Sequence, residues 1–366
     1  MLKNNILRYD EHISFQLRAL YGQHGYIPYR MSKFEEYDLY VRNKRFLVSE
    51  HILTFTDTDG RLMALKPDVT LSIVKNTPDD GVGLHKVCYN ESVYRTSPAS
   101  IGYQEITQTG IECIGQLDLF AMAEVISLAY GSLALIGSDF LLDLSHMGFI
   151  RSLLEPLDEA TQTELLEALS QKNTGAIRQC CAAKGVDPQL CEQLALLAGL
   201  YGPPSAVLPL LEPLASTADG KATLEELRQL CALLSAMNCE DKLRLDFSIV
   251  NDMHYYNSVI FRGYLPGLAS GVLAGGRYDN LLQRMGKAGG AIGFAVYLDQ
   301  LERLDTGEND YDVDVLLLYD DTTDPSAVAA RLAALTSDGS RVRAERTIPP
   351  TLRCRRQEDL RKGGGR

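Results

Sequence analysis

Lys86-Val87-Cys88-Tyr89-Asn90-Glu91-Ser92-Val93-Tyr94-Arg95 and Gln104-Glu105-Ile106-Thr107-Gln108-Thr109-Gly110-Ile111-Glu112-Cys113-Ile114-Gly115 decide the fold. Each run reads as a β-strand. The connection between them holds Ser97, Pro98, Ser100 and Gly102, residue types that favour loops. A strand, a polar loop and an antiparallel return strand form a cradle for a small ligand. Gln108 and Glu112 lie four apart, so on a strand they share one face. An amide and a carboxylate on one face can bind a small polar cation.

Upstream, Ile13, Leu17 and Leu20 form a helical stripe that Gly22 and Gly25 end. Strand-like pieces follow at 45–48 and 51–56. Thr56-Asp57-Thr58-Asp59-Gly60 reads as a hairpin turn, and 61–65 returns from it. A helix is expected over 67–76, with Pro67 near its start. Downstream of the cradle come an amphipathic helix at 117–135 and a strand at 140–144. From about 146 to 241 the chain is rich in Leu, Ala, Glu and Gln, with helical stripes at 161–169, 175–183, 188–197 and 224–237. Strand character returns at 243–250, 258–264 and 271–274. Gly275-Gly276 reads as a tight turn, 277–285 as the start of a helix, and 294–304 as a further helix after Gly289-Gly290. Beyond Gly307 a strand at 313–319 and a helix at 324–335 open a small α/β unit. The basic, Gly-rich tail after it is expected to be disordered.

The composition is that of a globular protein, with 45% hydrophobic and 23% charged residues in 366, which excludes a mainly disordered or fibrous chain. The formal net charge of −12 disfavours a polyanion such as tRNA as a ligand of the whole surface. The charge is uneven, because 341–366 holds nine Lys/Arg and three Asp/Glu. Eight cysteines include no Cys-x-x-Cys pair, and no His cluster has zinc-ligand spacing, so no metal is expected. Reduced thiols fit a cytoplasmic location. Neither a signal peptide nor a membrane span is expected.

Three separated segments carry the polar residues of interest. They are Ala64-Leu65-Lys66-Pro67-Asp68-Val69-Thr70, the cradle itself, and His254-Tyr255-Tyr256-Asn257-Ser258-Val259-Ile260-Phe261 with Gly275-Gly276-Arg277-Tyr278-Asp279. Asp68 and Thr70 offer an acceptor pair for an amino group. Tyr255 and Tyr256, if extended, point to opposite faces, so one of them is expected to line a pocket. Residue type alone leaves simpler roles open. Glu112 could pair with a nearby Arg or Lys, Asp68 and Thr70 could cap the following helix, and the tyrosines could belong to a half-buried strand. Gly275-Gly276-Arg277 lacks the Lys-Ser/Thr of a P-loop and the spacing of a dinucleotide fold.

In order and spacing, these segments resemble the catalytic domain of the histidyl-tRNA synthetases, a class II family, over roughly residues 1–305. The family has Leu-Arg-Pro-Glu/Asp-x-Thr at the first segment and an Arg, a loop and Gln-x-Gly-x-Glu at the second. At the third it has a Tyr-Tyr motif, Gly-Gly-Arg-Tyr-Asp and a final Glu-Arg-Leu helix. The helical stretch at about 146–241 falls where the family carries an insertion. The resemblance implies an α+β fold: a mixed, mostly antiparallel sheet flanked by helices, with that insertion. Residues 306–366 would form a short α/β remnant. It also implies that Asp68, Thr70, Gln108, Glu112 and Tyr255 or Tyr256 hold a histidine-like ligand.

The departures concern the nucleotide end. Adenylate formation needs fixed positive charge at the phosphates. Arg95 matches one family arginine, but Asn251 and Gln300 stand where two others belong, and Gly102-Tyr103-Gln104 replaces a basic loop motif. With Arg277, these positions would form a vestigial nucleotide site. Losing one such donor costs about 10²–10³ in rate. Lys66 replaces a common Arg, Asn257-Ser258 a usual Thr-Gly, and Ser32 a proline. The segment after Leu304 is shorter than an anticodon-binding domain. This set matches the family's non-catalytic branch, the regulatory subunits of ATP phosphoribosyltransferase. That likeness implies no catalytic residue and no cofactor. It also implies a homodimer, assembly with the short-form catalytic subunit, histidine as ligand and no tRNA. The alternative is a divergent histidyl-tRNA synthetase or a ligase that adenylates histidine.

Overall fold

The computed structural model describes residues 8–44, 47, 51–78, 83–96, 102–250, 255–301 and 311–361. The chain forms two compact units, Ile13–Arg303 and a smaller one of Met1–His12 with Leu304–Arg366.

Helix α1 (Tyr9–Gln23) buries Ile13 and Leu17 of the stripe read from sequence, with Tyr21 in place of Leu20, which is partly buried. Strands β1 (Ile27–Pro28) and β2 (Phe34–Glu36) and helix α2 (Tyr37–Arg42) follow. β3 (Thr54–Thr56) and β4 (Leu62–Leu65) make the expected hairpin. Asp57 Oδ1 accepts from the backbone N–H of Asp59 and Arg61, and Gly60 turns the chain with φ 79°. β2 joins them in a small antiparallel sheet ordered β2-β4-β3. Only Thr54–Thr56 of the stretch 51–56 is strand, and the piece at 45–48 lies outside the described residues except for Leu47. Helix α3 (Thr70–Asn76) begins three residues after Pro67, because the Asp68 carboxylate accepts the N–H of Leu71 at 2.8 Å and sets the start.

The cradle is two 13-residue strands, β5 (Leu84–Thr96) and β6 (Tyr103–Gly115), paired antiparallel throughout. Helix α4 (Leu119–Ile136) is capped by Asp118, which accepts from Ala121 N–H at 2.7 Å. It is long and apolar enough to cross a membrane by composition, but it is a largely buried core helix. β7 (Leu141–His146) leads into the helix-rich stretch of α5 (Met147–Leu154), α6 (Glu159–Ser170), α7 (Thr174–Lys184), α8 (Pro188–Gly199), α9 (Pro204–Leu211) and α10 (Ala218–Ala236). Side-chain caps from Asp158, Asn173, Asp187 and Thr217 start four of these helices. A two-residue strand, β8 (Tyr201–Gly202), interrupts them. β9 (Leu243–Asp246), β10 (Val259–Tyr264), β11 (Leu273–Arg277), α11 (Asp279–Arg284), β12 (Gly290–Tyr297) and α12 (Leu298–Leu301) complete the unit.

Nine strands form one sheet ordered β1-β5-β6-β12-β11-β10-β7-β9-β8. Every adjacent pair is antiparallel except β1 with β5 and β7 with β9. Two expectations fail at its centre. Gly275-Gly276 is not a turn but lies inside β11. A Cβ on Gly275 would sit 2.5 Å from the Gly293 carbonyl oxygen, and one on Gly276 would sit 2.6 Å from the Tyr256 ring. These glycines serve close packing rather than reversal. Of the stretch read as a helix at 294–304, Phe294–Tyr297 belongs to β12, Leu298–Leu301 is the helix α12, and 302–304 lie outside the described residues. Between β6 and β11 the residues of β12 are buried on both faces, so the run shows no period of two and reads like a buried helix.

In the smaller unit, β13 (Val313–Leu318), α13 (Pro325–Ser337), β14 (Val342–Glu345) and β15 (Cys354–Asp359) form a three-stranded parallel sheet ordered β14-β13-β15 with one helix. The expectation of a disordered tail fails through residue 361. The arginines that suggested it pair with carboxylates: Arg341 with Asp314 at 3.3 Å, Arg346 with Asp321 at 2.8 Å and Arg353 with Asp312 at 3.4 Å.

Candidate functional site

One face of the large sheet carries a cavity of about 430 Å³, in the range of small-ligand sites. β6 supplies Gln108 and Glu112, 3% and 2% exposed, on a single face as their spacing requires. Small residues on neighbouring strands, Gly293 and Ala295 of β12 and Ala274 of β11, keep the space above the sheet open. A Cβ on Gly293 would overlap Glu112 Oε2 and the Ile111 carbonyl oxygen, so only glycine lets that carboxyl lie on the floor.

Glu112 is held from both sides. The Thr70 hydroxyl donates to its Oε1 at 2.8 Å, and the Tyr278 hydroxyl donates to Oε2. Burial pushes its pKa up to about 8, the two hydroxyls oppose that rise, and nearby Asp68 adds to it. Burial also raises Asp68, while Arg95 and backbone N–H groups pull it down. Arg95 donates from Nε to the Pro67 carbonyl at 2.5 Å, and its Nη2 lies 3.5 Å from Asp68 Oδ2. Thus Asp68 both caps α3 and faces the cavity. The two readings of that residue are one arrangement.

Asp68, Thr70, Gln108, Glu112, Tyr255, Tyr256 and Arg95 all line the cavity. The expectation that one tyrosine of the pair would do so is corrected. Tyr255 and Tyr256 lie outside any strand, and their rings meet edge to face at 4.5 Å, so strand alternation does not separate them. Arg277 and Gln300 are not among the lining residues. Arg277 is one residue out of phase with Ala274 and Gly276 on β11. It points to the other face of the sheet, with Nε 2.9 Å from Asp279 Oδ2 and Nη1 3.4 Å from the Met122 sulfur. Gln300 in α12 accepts from the Ser270 hydroxyl at 3.2 Å and donates to Asp299. Asn251 lies outside the described residues. Among those residues no group of three or more His, Cys, Asp or Glu could hold a metal.

Sequence reasoning missed Tyr278, Tyr89, Tyr297 and Arg262, which also line the cavity. Tyr278 carried no signal beyond its place after Gly275-Gly276-Arg277. Arg262 carried one: it is the single charge in the otherwise apolar strand Val259–Tyr264.

A mixed, mostly antiparallel sheet in this strand order, flanked by helices, is the class II aminoacyl-tRNA synthetase fold. The histidyl-tRNA synthetase family model matches residues 3–301. An ATP phosphoribosyltransferase regulatory subunit from Thermoanaerobacter sp. strain X514 is 31% identical over 300 residues, covering 80% of this chain and 78% of the relative. The solved structure of an ATP phosphoribosyltransferase regulatory subunit/histidyl-tRNA synthetase from Bacillus halodurans is similar with TM-score 0.81 at 24% identity. The likeness covers 96% and 94% of the two chains. A chain of the ATP phosphoribosyl transferase (HisG:HisZ) complex from Thermotoga maritima gives TM-score 0.60 at 18% identity, covering 78% and 96%. The chain belongs to the histidyl-tRNA synthetase family and, within it, to the ATP phosphoribosyltransferase regulatory subunits, a non-catalytic branch.

Proposed function

We propose that this chain assembles with a short-form ATP phosphoribosyltransferase catalytic subunit in the cytoplasm. There it is required for that subunit's activity and carries its response to histidine in the first step of histidine biosynthesis. The observation that carries the reading is a cavity whose acidic floor is complete while Arg277 and Gln300 lie outside it. Such a site suits an imidazole-bearing amino acid, and of the candidate nucleotide-site positions among the described residues only Arg95 lines it. The relatives named as regulatory subunits support the same partner.

In this reading Glu112, held by Thr70 and Tyr278, faces the imidazole, while Asp68 and Gln108 face the amino group. The chain works as a homodimer, binds no tRNA and uses no cofactor. The phosphoribosyl chemistry belongs to the partner. Histidine shifts the assembly only by as much as it binds the inhibited state better than the active one.

The test mixes the purified chain with a short catalytic subunit. Turnover is expected only with both present, and histidine is expected to lower it. Histidine-dependent exchange between ATP and pyrophosphate by this chain alone would overturn the reading.

A further inference from the structure

The cavity has a second charged wall. In the sheet register Arg262 of β10 stands beside Ala274, then Ala295, then Gly110, then Tyr89. Three small residues therefore lie between Arg262 and the far side of the cavity. β10 and β6 are three strand spacings apart, about 14 Å. A long side chain on β10 reaches over that low row toward the carboxyl on β6. The stem of Arg262 is seated against Gly271, where an added Cβ would lie 2.8 Å from its Cγ.

Arg262 also differs from Arg95 in its commitments. Arg95 is held by Pro67 and Asp68. Arg262 has no hydrogen bond or ion pair among the described residues, although it is half-buried and lines the cavity. Its cross-strand neighbour Asp143 feels its charge but makes no direct hydrogen bond or ion pair with it, and Asp143 Oδ1 has no hydrogen-bond partner among the described residues. A half-buried guanidinium with five idle donors, aimed into a polar cavity, is suited to a planar anion.

We propose that Arg262 is the carboxylate anchor of the cavity, so that the site recognises its ligand as a complete zwitterionic amino acid: cationic groups at Asp68 and Glu112, carboxylate at Arg262. The proposal rests on the reading of the cavity as a histidine site and adds the residue that separates an amino acid from its amino alcohol. Arg262 acts by binding and takes part in no reaction.

Calorimetric titration of the full chain with histidine and with histidinol, which carries a hydroxymethyl group in place of the carboxylate, tests it. Wild type is expected to bind histidine about ten- to a hundredfold more tightly than histidinol, the worth of a hydrogen bond to a charged group. Arg262→Met and Arg262→Gln are expected to erase that ratio by weakening histidine alone, leaving histidinol affinity and ligand-free Tm unchanged. The two variants fill the position differently, so a folding defect in one leaves the other to report. A ratio that persists in a folded variant would overturn the anchor and leave the histidine reading standing. Equal affinities in wild type would do the same. Failure of wild type to bind either compound would overturn both.

Discussion

The floor of the cavity and its Arg262 wall are built on opposite principles. At the floor, both oxygens of Glu112 accept hydroxyl donors, and Asp68 is engaged by a backbone N–H and by Arg95. At the wall, Arg262 has no such partner among the described residues. The floor is assembled by folding, whereas the wall is left for something else to complete. Changes to the floor therefore register as stability, and changes to the wall register as binding.

The largest effect is expected from Gly293→Ala. A methyl at the centre of the sheet would displace Glu112 or the β6 backbone and cost about 3 kcal/mol or more, read from urea unfolding. If this variant unfolds like wild type, the floor is not rigid and the contrast fails.

Next is the pH dependence set by Glu112. Its folded pKa of about 8 lies above the ordinary 4.5. Between those values the folded chain keeps a proton that the unfolded chain has released. Stability from this group is thus fullest below 4.5 and falls as pH rises through 8, with a slope approaching about 1.4 kcal/mol per pH unit. Glu112→Gln is expected to flatten that slope and to weaken histidine binding. A slope unchanged in the variant would place the titration elsewhere.

Tyr278→Phe removes one donor to the buried carboxyl and is expected to cost about 1.5–3 kcal/mol in unfolding free energy. The smallest stability effect is expected at the wall, where Arg262→Met should stay within about 0.5 kcal/mol of wild type in the absence of ligand. A loss comparable to that of Tyr278→Phe would show that Arg262 is structural and erase the difference between the two regions.

Much of the floor was legible in the chain because its residues lie on regular spacings. Gln108 and Glu112 share a face by strand alternation, and Asp68 and Thr70 sit at a helix start whichever role is assigned to them. Tyr255 and Tyr256 were half legible. Alternation separates neighbours only on a strand, and here the backbone is not one. Arg277 was misplaced by a single residue of phase at the end of β11, which sends it through the sheet to Met122. The glycine pair before it looked like a turn because local sequence does not reveal which side chains press against a backbone.

The amino-acid sequence by itself determined the order of the elements, the cradle strands and the acidic residues of the floor. These depend on periodicity and capping, which act over a few positions. Tertiary structure alone decided that 290–297 is a central strand, that the basic C-terminal residues pair with distant carboxylates, and that Arg262 faces the cavity unpaired. Each of those outcomes depends on which residues meet across strands that are far apart in the chain, and hydrophobic pattern carries no record of that.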